Sequence, residues 1–276
     1  VTETTETPTP TRDLTLAMAD LQRFGACIVE GALDPEKAAE VRTALYRAAE
    51  TDRRSGLTQD YAFGRDEAAQ NQRIWNLPSH DWVFCELAEH PVAMHFVREV
   101  LGWPALLSGM SANIVSGGGQ MVLHRDQAYM PPPWSRPLGV NVAWCVDDFT
   151  TENGATCYIP GSNHFDGAGS TQTNSGDRVT YSTDLDAMRD RLVPLEAPAG
   201  SAVIMEGRLL HTNGVNTDGR TRAGIFSWYT LPVYLPQENW YLSLNPSARQ
   251  VGSETLQTLL GFRPQVLGRV NGRAGF

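Results

Sequence analysis

The chain has 276 residues, enough to bury a large core, and its 41% hydrophobic and 19% charged composition is that of a globular protein. A formal net charge of −9, with no lysine- or arginine-rich run, argues against nucleic acid or an anionic membrane surface as a partner. No apolar stretch reaches bilayer-spanning length, and four scattered cysteines without a C-x-x-C pair fit buried thiols of a reducing cytoplasm rather than a disulfide or zinc framework.

Residues 1–12 read VTETTETPTPTR, which has neither the basic nor the apolar region of a secretory leader. Thr, Glu and Pro bury no core, so this stretch is expected to be a disordered tail. A single domain is expected over 13–276. It starts with a helix at Asp13–Phe24, where Leu14, Ala17, Met18 and Leu21 fall at helical spacing and Gly25 ends the run. A short strand follows at Ala26–Glu30. Asp34 then offers a carboxylate to the free N–H groups of a new helix, and Pro35 stands at its first position, where a missing N–H costs nothing. Residues 51–76 are polar and irregular. Helices resume at His80–Glu89 and Pro91–Leu101, divided by Pro91, so the N-terminal part (13–104) is helical.

From Ala105 the pattern changes to short β-rich runs punctuated by Gly, Pro, Asn and Asp. Strands are expected at Leu106–Val115, Gln120–Leu123, Gly139–Val146, Ala155–Ile159, Ser201–Met205, His211–Asn213 and Ala223–Thr230. Many short strands at close spacing favour a sandwich or barrel, here over 105–235. The polar stretch 165–191 is an insertion suited to a lid, as is 51–76. Residues 236–276 form a C-terminal extension with helical content, in which Leu256, Leu259 and Leu260 face inward.

The chemistry starts at Leu123-His124-Arg125-Asp126-Gln127. On a strand, residues two apart face the same side, so His124 and Asp126 can enter one cavity. An imidazole and a carboxylate suit a divalent first-row metal. His211, in EGRLLHTNG at the start of a later strand, supplies a third ligand. Two histidines and one carboxylate occupy one face of an octahedral ion and leave the other positions for co-substrate and oxygen. Arg222 follows across a short turn. Its guanidinium can grip a carboxylate bidentately, so a keto-acid could chelate the metal and pair with Arg222 at its far end. Arg220 competes for that role on strand parity; its place in the turn gives it the solvated one.

The run from Gln120 through Phe165, with HRDQ and ENGATCYIPGSNHF, resembles the phytanoyl-CoA dioxygenase family, as does GSAVIMEGRLLHTNGVNTDGRTR. The resemblance covers about Ala26 to Thr230. It implies a mainly β fold, the double-stranded β-helix or jelly roll of cupins, with flanking α-helices. It also implies iron(II), 2-oxoglutarate and oxygen as reaction partners, with release of succinate and carbon dioxide. His124 and Asp126 match the family's proximal ligand pair, His211 its distal ligand, and Arg222 the arginine that binds the far carboxylate of 2-oxoglutarate. Thr156 sits where relatives often place a hydroxyl on that carboxylate. Gln72 matches a glutamine lining the site in relatives that modify natural products, and Asn113 lies on a strand expected to face the cavity. His164, past the Pro160-Gly161 turn, is an extra imidazole expected to pack locally. Halogenating relatives lack the carboxylate that Asp126 provides, so hydroxylation, desaturation or a related C–H oxidation is implied.

The segments YLPQENW and LLGFRP resemble the branch that tailors terpenoids and other secondary metabolites, so the expected partner is a mid-sized, partly apolar small molecule. Tyr61, Phe63, Trp75, Tyr129, Met130, Trp134 and Trp228 are aromatic or apolar candidates for its pocket. Relatives in that branch are often homodimers; no residue pattern here marks an interface. Two other classes compete: a cupin-like metalloenzyme without a keto-acid, which would not need Arg222, and a non-catalytic jelly-roll binding protein, which would not need three intact ligands.

Overall fold

The computed structural model describes residues 6–57, 59–60, 71–118, 122–165, 173–175, 178–180, 183–246, 252–263 and 267–273, with side chains left out at 59–60 and 173–186. The helical part forms as the caps dictate. Asp13 accepts N–H groups of Thr15 and Leu16 to start α1 (Leu14–Phe24), and Asp34 accepts that of Lys37 to start α2 (Pro35–Ser55). Asp81 caps α3 (Trp82–Ala88), and Pro91 opens α4 (Pro91–Leu101).

The strands are β1 (Ala26–Val29), β2 (Gln59–Asp60), β3 (Asn71–Ile74), β4 (Leu106–Val115), β5 (Gly139–Cys145) and β6 (Thr156–Tyr158). They continue with β7 (Thr173–Ser175), β8 (Arg178–Thr180), β9 (Val193–Pro194), β10 (Ala202–Glu206), β11 (His211–Asn213) and β12 (Arg222–Thr230). An antiparallel seven-stranded sheet runs β1-β10-β5-β12-β4-β3-β2, and a three-stranded sheet runs β11-β6-β9. Strand parity divides the large sheet. Val140, Val142 and Trp144 of β5, with Ala223 and Ile225 of β12, join Leu45, Phe84 and Phe96 of the helices in one core. The opposite face, with Ala143 and Cys145 of β5 and Val203 and Met205 of β10, packs with Tyr158 of the small sheet in a second core. Two antiparallel sheets face to face, helices covering one outer side, make the jelly roll that the sequence led us to expect. The C-terminal extension adds α5 (Trp240–Ser243) and α6 (Glu254–Leu259), with Leu256 and Leu259 buried.

Three expectations are corrected. Residues 6–12 do not stand apart as a tail: Thr11 bridges Val29 of β1, donating to Ile28 O at 3.1 Å, and Thr9 N–H donates to Asp20 at 3.0 Å. The stretch read as irregular contains the end of α2 and strand β3, which pairs with β4. No strand covers Val122–Leu123; the rest of that expected strand (120–121) lies outside the described residues, as does much of the insertion at 165–191. Among the described residues no helix is long and apolar enough to cross a membrane.

Candidate active site

Two backbone contacts bring the ligand-bearing segments together. His124 and His211 exchange N–H···O bonds of 3.0 and 2.9 Å in an isolated bridge. The backbone then leaves the extended conformation after Arg125 and enters a 3-10 turn at Asp126–Tyr129. That turn is tied down where Gln127 N–H donates to Gly207 O at 2.9 Å. A Cβ on Gly207 would lie 2.8–3.0 Å from Trp228, Gln127 and Gly139, so only glycine lets these segments approach so closely. Arg125 is extended, with φ −116° and ψ 134°, which keeps His124 and Asp126 on one side even though no continuous strand carries them.

His124, Asp126 and His211 each offer one ligand atom, all within 4.8 Å of one another. The Asp126 carboxylate oxygen Oδ1 lies 3.5 Å from His124 Nε2 and 3.7 Å from His211 Nε2. On the far side of each ring, Nδ1 sits 2.9 Å from Val122 O in His124 and 3.1 Å from Leu209 O in His211. A carbonyl only accepts, so Nδ1 carries a proton in each ring, and Nε2, the nitrogen on the Asp126 side, is the one a metal would take in exchange for any proton it holds. Burial works against a charge on Asp126, but His211 and His124, with hydrogen bonds from His124 and Asn141, outweigh it and hold the carboxyl well below the usual carboxylate range. Burial pushes His211 down, towards the neutral ring a metal requires. Two neutral imidazoles and an ionised carboxylate are a donor set for a divalent metal of mixed N/O preference.

Asn141, which sequence reasoning missed, donates from Nδ2 to Asp126 Oδ2 at 2.8 Å. The signal for it was an amide in an otherwise apolar strand, GVNVAWC, since a buried amide needs a partner. Asn141→Ala is expected to weaken divalent-metal binding by about 10–100-fold, the usual effect of losing a partner that orients a ligand. Calorimetric titration with Mn(II) measures this, and unaltered affinity would remove Asn141 from the site.

Arg222, the first residue of β12, is wholly buried, and its Nε, Nη1 and Nη2 have no hydrogen-bond partner among the described residues. Its guanidinium lies over the Phe149 ring at 4.5 Å. Burial pulls its pKa down to about 10, with Cys145, Cys157 and Asp147 opposing the shift. Arg220, by contrast, is exposed and pairs with Asp218 at 2.7 Å, as its place in the turn led us to expect. Thr156 pairs with Asn213 and therefore shares a side of the small sheet with His211; its hydroxyl is buried without a partner among the described residues. Leu195 donates to Thr156 O at 2.8 Å, and Ala197 exchanges hydrogen bonds with Phe149. One segment thus holds Thr156 beside the ring under Arg222.

Asn113 faces the interior, buried and with Oδ1 unpartnered among the described residues. Gln72 does not: its amide donates to Ala49 O of α2 at 2.8 Å and accepts from Arg53 at 2.9 Å, on the helical side of the sheet. Its neighbour Asn71 is the inward residue. It pairs with Val115, as Arg222 does from the other side, and its Oδ1 is buried without a partner among the described residues. The resemblance singled out Gln72, but successive strand residues face opposite sides, and the register of β3 on β4 turns Asn71 inward instead. His164 hydrogen-bonds Gln22 O at 2.9 Å and stands outside the cluster.

A cavity beside Asp126 is lined by Trp75, Ser111, Asn141, Phe226 and Trp228, together with Arg73, Gln237 and Glu238. Trp228 is fixed by an indole N–H bond to the Tyr129 hydroxyl at 2.9 Å. Met130 is buried and accepts the Trp134 indole N–H at 3.0 Å; Tyr61 and Phe63 lie outside the described residues.

Comparison with known proteins agrees with this geometry. The family model described as phytanoyl-CoA dioxygenase (PhyH) matches residues 21–224. The dioxygenase af480 of Aspergillus fumigatus is 35% identical, over 90% of this chain and 78% of its own length. Among solved structures, the epimerase SnoN in complex with Fe3+, alpha ketoglutarate and nogalamycin RO superposes with a TM-score of 0.62 at 18% identity, covering 88% of this chain and 92% of that one. HygX of Streptomyces hygroscopicus, with nickel and 2-oxoglutarate bound, gives 0.59 at 16% identity, covering 86% and 94%. At such identities the structural likeness is one of fold.

Proposed function

The chain belongs to the phytanoyl-CoA dioxygenase family, and from that premise we propose that it is an oxygenase in which His124, Asp126 and His211 hold iron(II) while Arg222 and Thr156 bind the far carboxylate of 2-oxoglutarate. The observation that carries this reading is Arg222. A guanidinium buried with no acceptor among the described residues is costly unless an anion meets it, and a dicarboxylic keto-acid meets that need. A cupin-like enzyme without a keto-acid gives this arginine no task.

Bound iron and 2-oxoglutarate supply the oxidising chemistry with O2, yielding succinate and carbon dioxide. The chain's residues position and insulate. Val122 O and Leu209 O fix the ring orientations, and Asn141 fixes the carboxylate, so that three donors converge on one point. The Arg222 fork and the Thr156 hydroxyl orient the keto-acid end to end. Asn113 faces the same interior. Trp75, Phe226 and Trp228 exclude water beside Asp126 and present an apolar wall to the substrate. That wall, set among Ser111 and Asn141, suits a mid-sized, partly apolar metabolite of terpenoid or other secondary-metabolite type, oxidised at a C–H bond.

Anaerobic titration of the protein with iron(II) and 2-oxoglutarate tests this reading. A weak visible charge-transfer band from the chelated keto-acid is expected. Iron binding without the band would put the cupin-like enzyme in its place.

A further inference from the structure

The cavity beside Asp126 has a volume of about 130 Å³. Sites for drug-sized molecules run to roughly 300–1,000 Å³, so a mid-sized metabolite cannot fit within it alone. A second hollow, of about 660 Å³, lies between the 232–241 segment and the end of α6. Gln237 and Glu238 line both. The Gln237 side chain is exposed and lies over Gly109, where a Cβ would come within 3.8 Å of its Oε1. Gly109 itself belongs to the wall of the inner cavity. The backbone at this boundary is tied to Ser108 of β4, which accepts from Gln237 N–H at 3.0 Å and from Glu238 N–H at 2.8 Å, so the exposed Gln237 side chain is the part of it that can move.

The outer hollow is a groove of proline, aromatic and aliphatic groups, among them Tyr234, Tyr241 and Phe262. Val233, Leu235 and Tyr241 are 66%, 88% and 70% exposed, an unusual concentration of bare apolar surface at one place. Among the described residues its single charged lining residue is Glu238, at the boundary, and no lysine or arginine lines it. Phosphates of a coenzyme A thioester or a prenyl diphosphate would need cations there.

We propose that this groove is the distal subsite of the active site, and that it takes the uncharged, apolar remainder of an elongated substrate whose reacting end enters the inner cavity. The inference rests on the oxygenase reading and narrows it: the substrate is neutral over its far half and is not a coenzyme A ester. Glu238 repels an anionic tail, and the aromatic rings meet hydrocarbon.

The test compares farnesol with farnesyl diphosphate, the same chain without and with phosphates. Equilibrium dialysis against the full chain is run with and without Mn(II) and 2-oxoglutarate, so a protein that takes neither still reports on the groove. Farnesol is expected to bind at least about tenfold more tightly than the diphosphate. The double variant Leu235→Ser/Tyr241→Ser is expected to lose at least about tenfold in farnesol affinity with 2-oxoglutarate affinity unchanged. Both side chains are largely exposed, so the change does not threaten the fold. Three results would overturn the proposal: no farnesol binding, equal affinity for the diphosphate, or a double variant that binds farnesol as before. Sedimentation of the double variant completes the test: dissociation of a dimer with farnesol affinity intact would make the groove an interface between copies and overturn the subsite.

Discussion

Arg222→Met is expected to weaken 2-oxoglutarate binding by about 2–4 kcal/mol, roughly 30- to 1,000-fold, while leaving the ligand-free fold as stable as before or more so. The two halves of this result have one cause. In the ligand-free protein Arg222 is a buried cation whose three nitrogens find no acceptor among the described residues, and burial already draws its pKa down to about 10. Replacing an uncompensated buried charge with an apolar side chain of similar length removes a desolvation penalty. Methionine also keeps a polarizable contact with the Phe149 ring. Once the keto-acid is bound, the balance reverses, because its carboxylate is left without the fork that would neutralise it. Keto-acid titration under nitrogen gives the affinity, and thermal unfolding without ligand gives the stability. An unchanged affinity would mean that the carboxylate binds elsewhere. A melting temperature lowered by several degrees would mean that the arginine supports the fold instead.

The other large effect falls on the metal. His211→Ala should abolish turnover and weaken iron(II) binding by more than the roughly 10–100-fold typical of an outer partner, because a direct donor is lost. The fold should survive, since what His211 gives the architecture is its backbone. The N–H and C=O that bridge to His124 remain in alanine, as does the pairing with Tyr158. His164→Ala is the matched control: its ring bonds to Gln22 O away from the cluster, so turnover should be unaltered. Metal analysis of both purified variants checks this. Full iron occupancy in His211→Ala would dismiss it as a ligand, and loss of iron in His164→Ala would restore the alternative imidazole.

Much of this molecule is legible in its amino-acid order because the signals are local. Asp13 and Asp34 cap helices where a carboxylate before a helical run can do so, and β4 spans Leu106–Val115 as its composition demands. The three ligand candidates stand out because few side chains bind metals and because two of them are two residues apart. Choosing between Arg220 and Arg222 was harder, since both share one parity. The aspartate two residues before Arg220 takes that arginine in the turn, whereas Arg222 disappears into the interior.

What the amino-acid order alone determined is the type of most elements, the helix caps and the choice of His124, Asp126 and His211, whose ligand atoms the fold brings within 4.8 Å of one another. Only the tertiary structure decided the rest. It placed Asn71 rather than Gln72 inward, because β3 lies in a stretch whose pairing partner is distant in the chain, and strand parity has no meaning until a register is fixed. It joined Asn141 to Asp126 across the space between a strand and a 3-10 turn. It also opened a hollow between the end of the last core strand and the end of the last helix, two segments that only the folded chain brings face to face. Local propensity acts over a few residues, whereas a cavity is made of contacts between residues far apart in the chain, and the packing of the whole core determines those contacts.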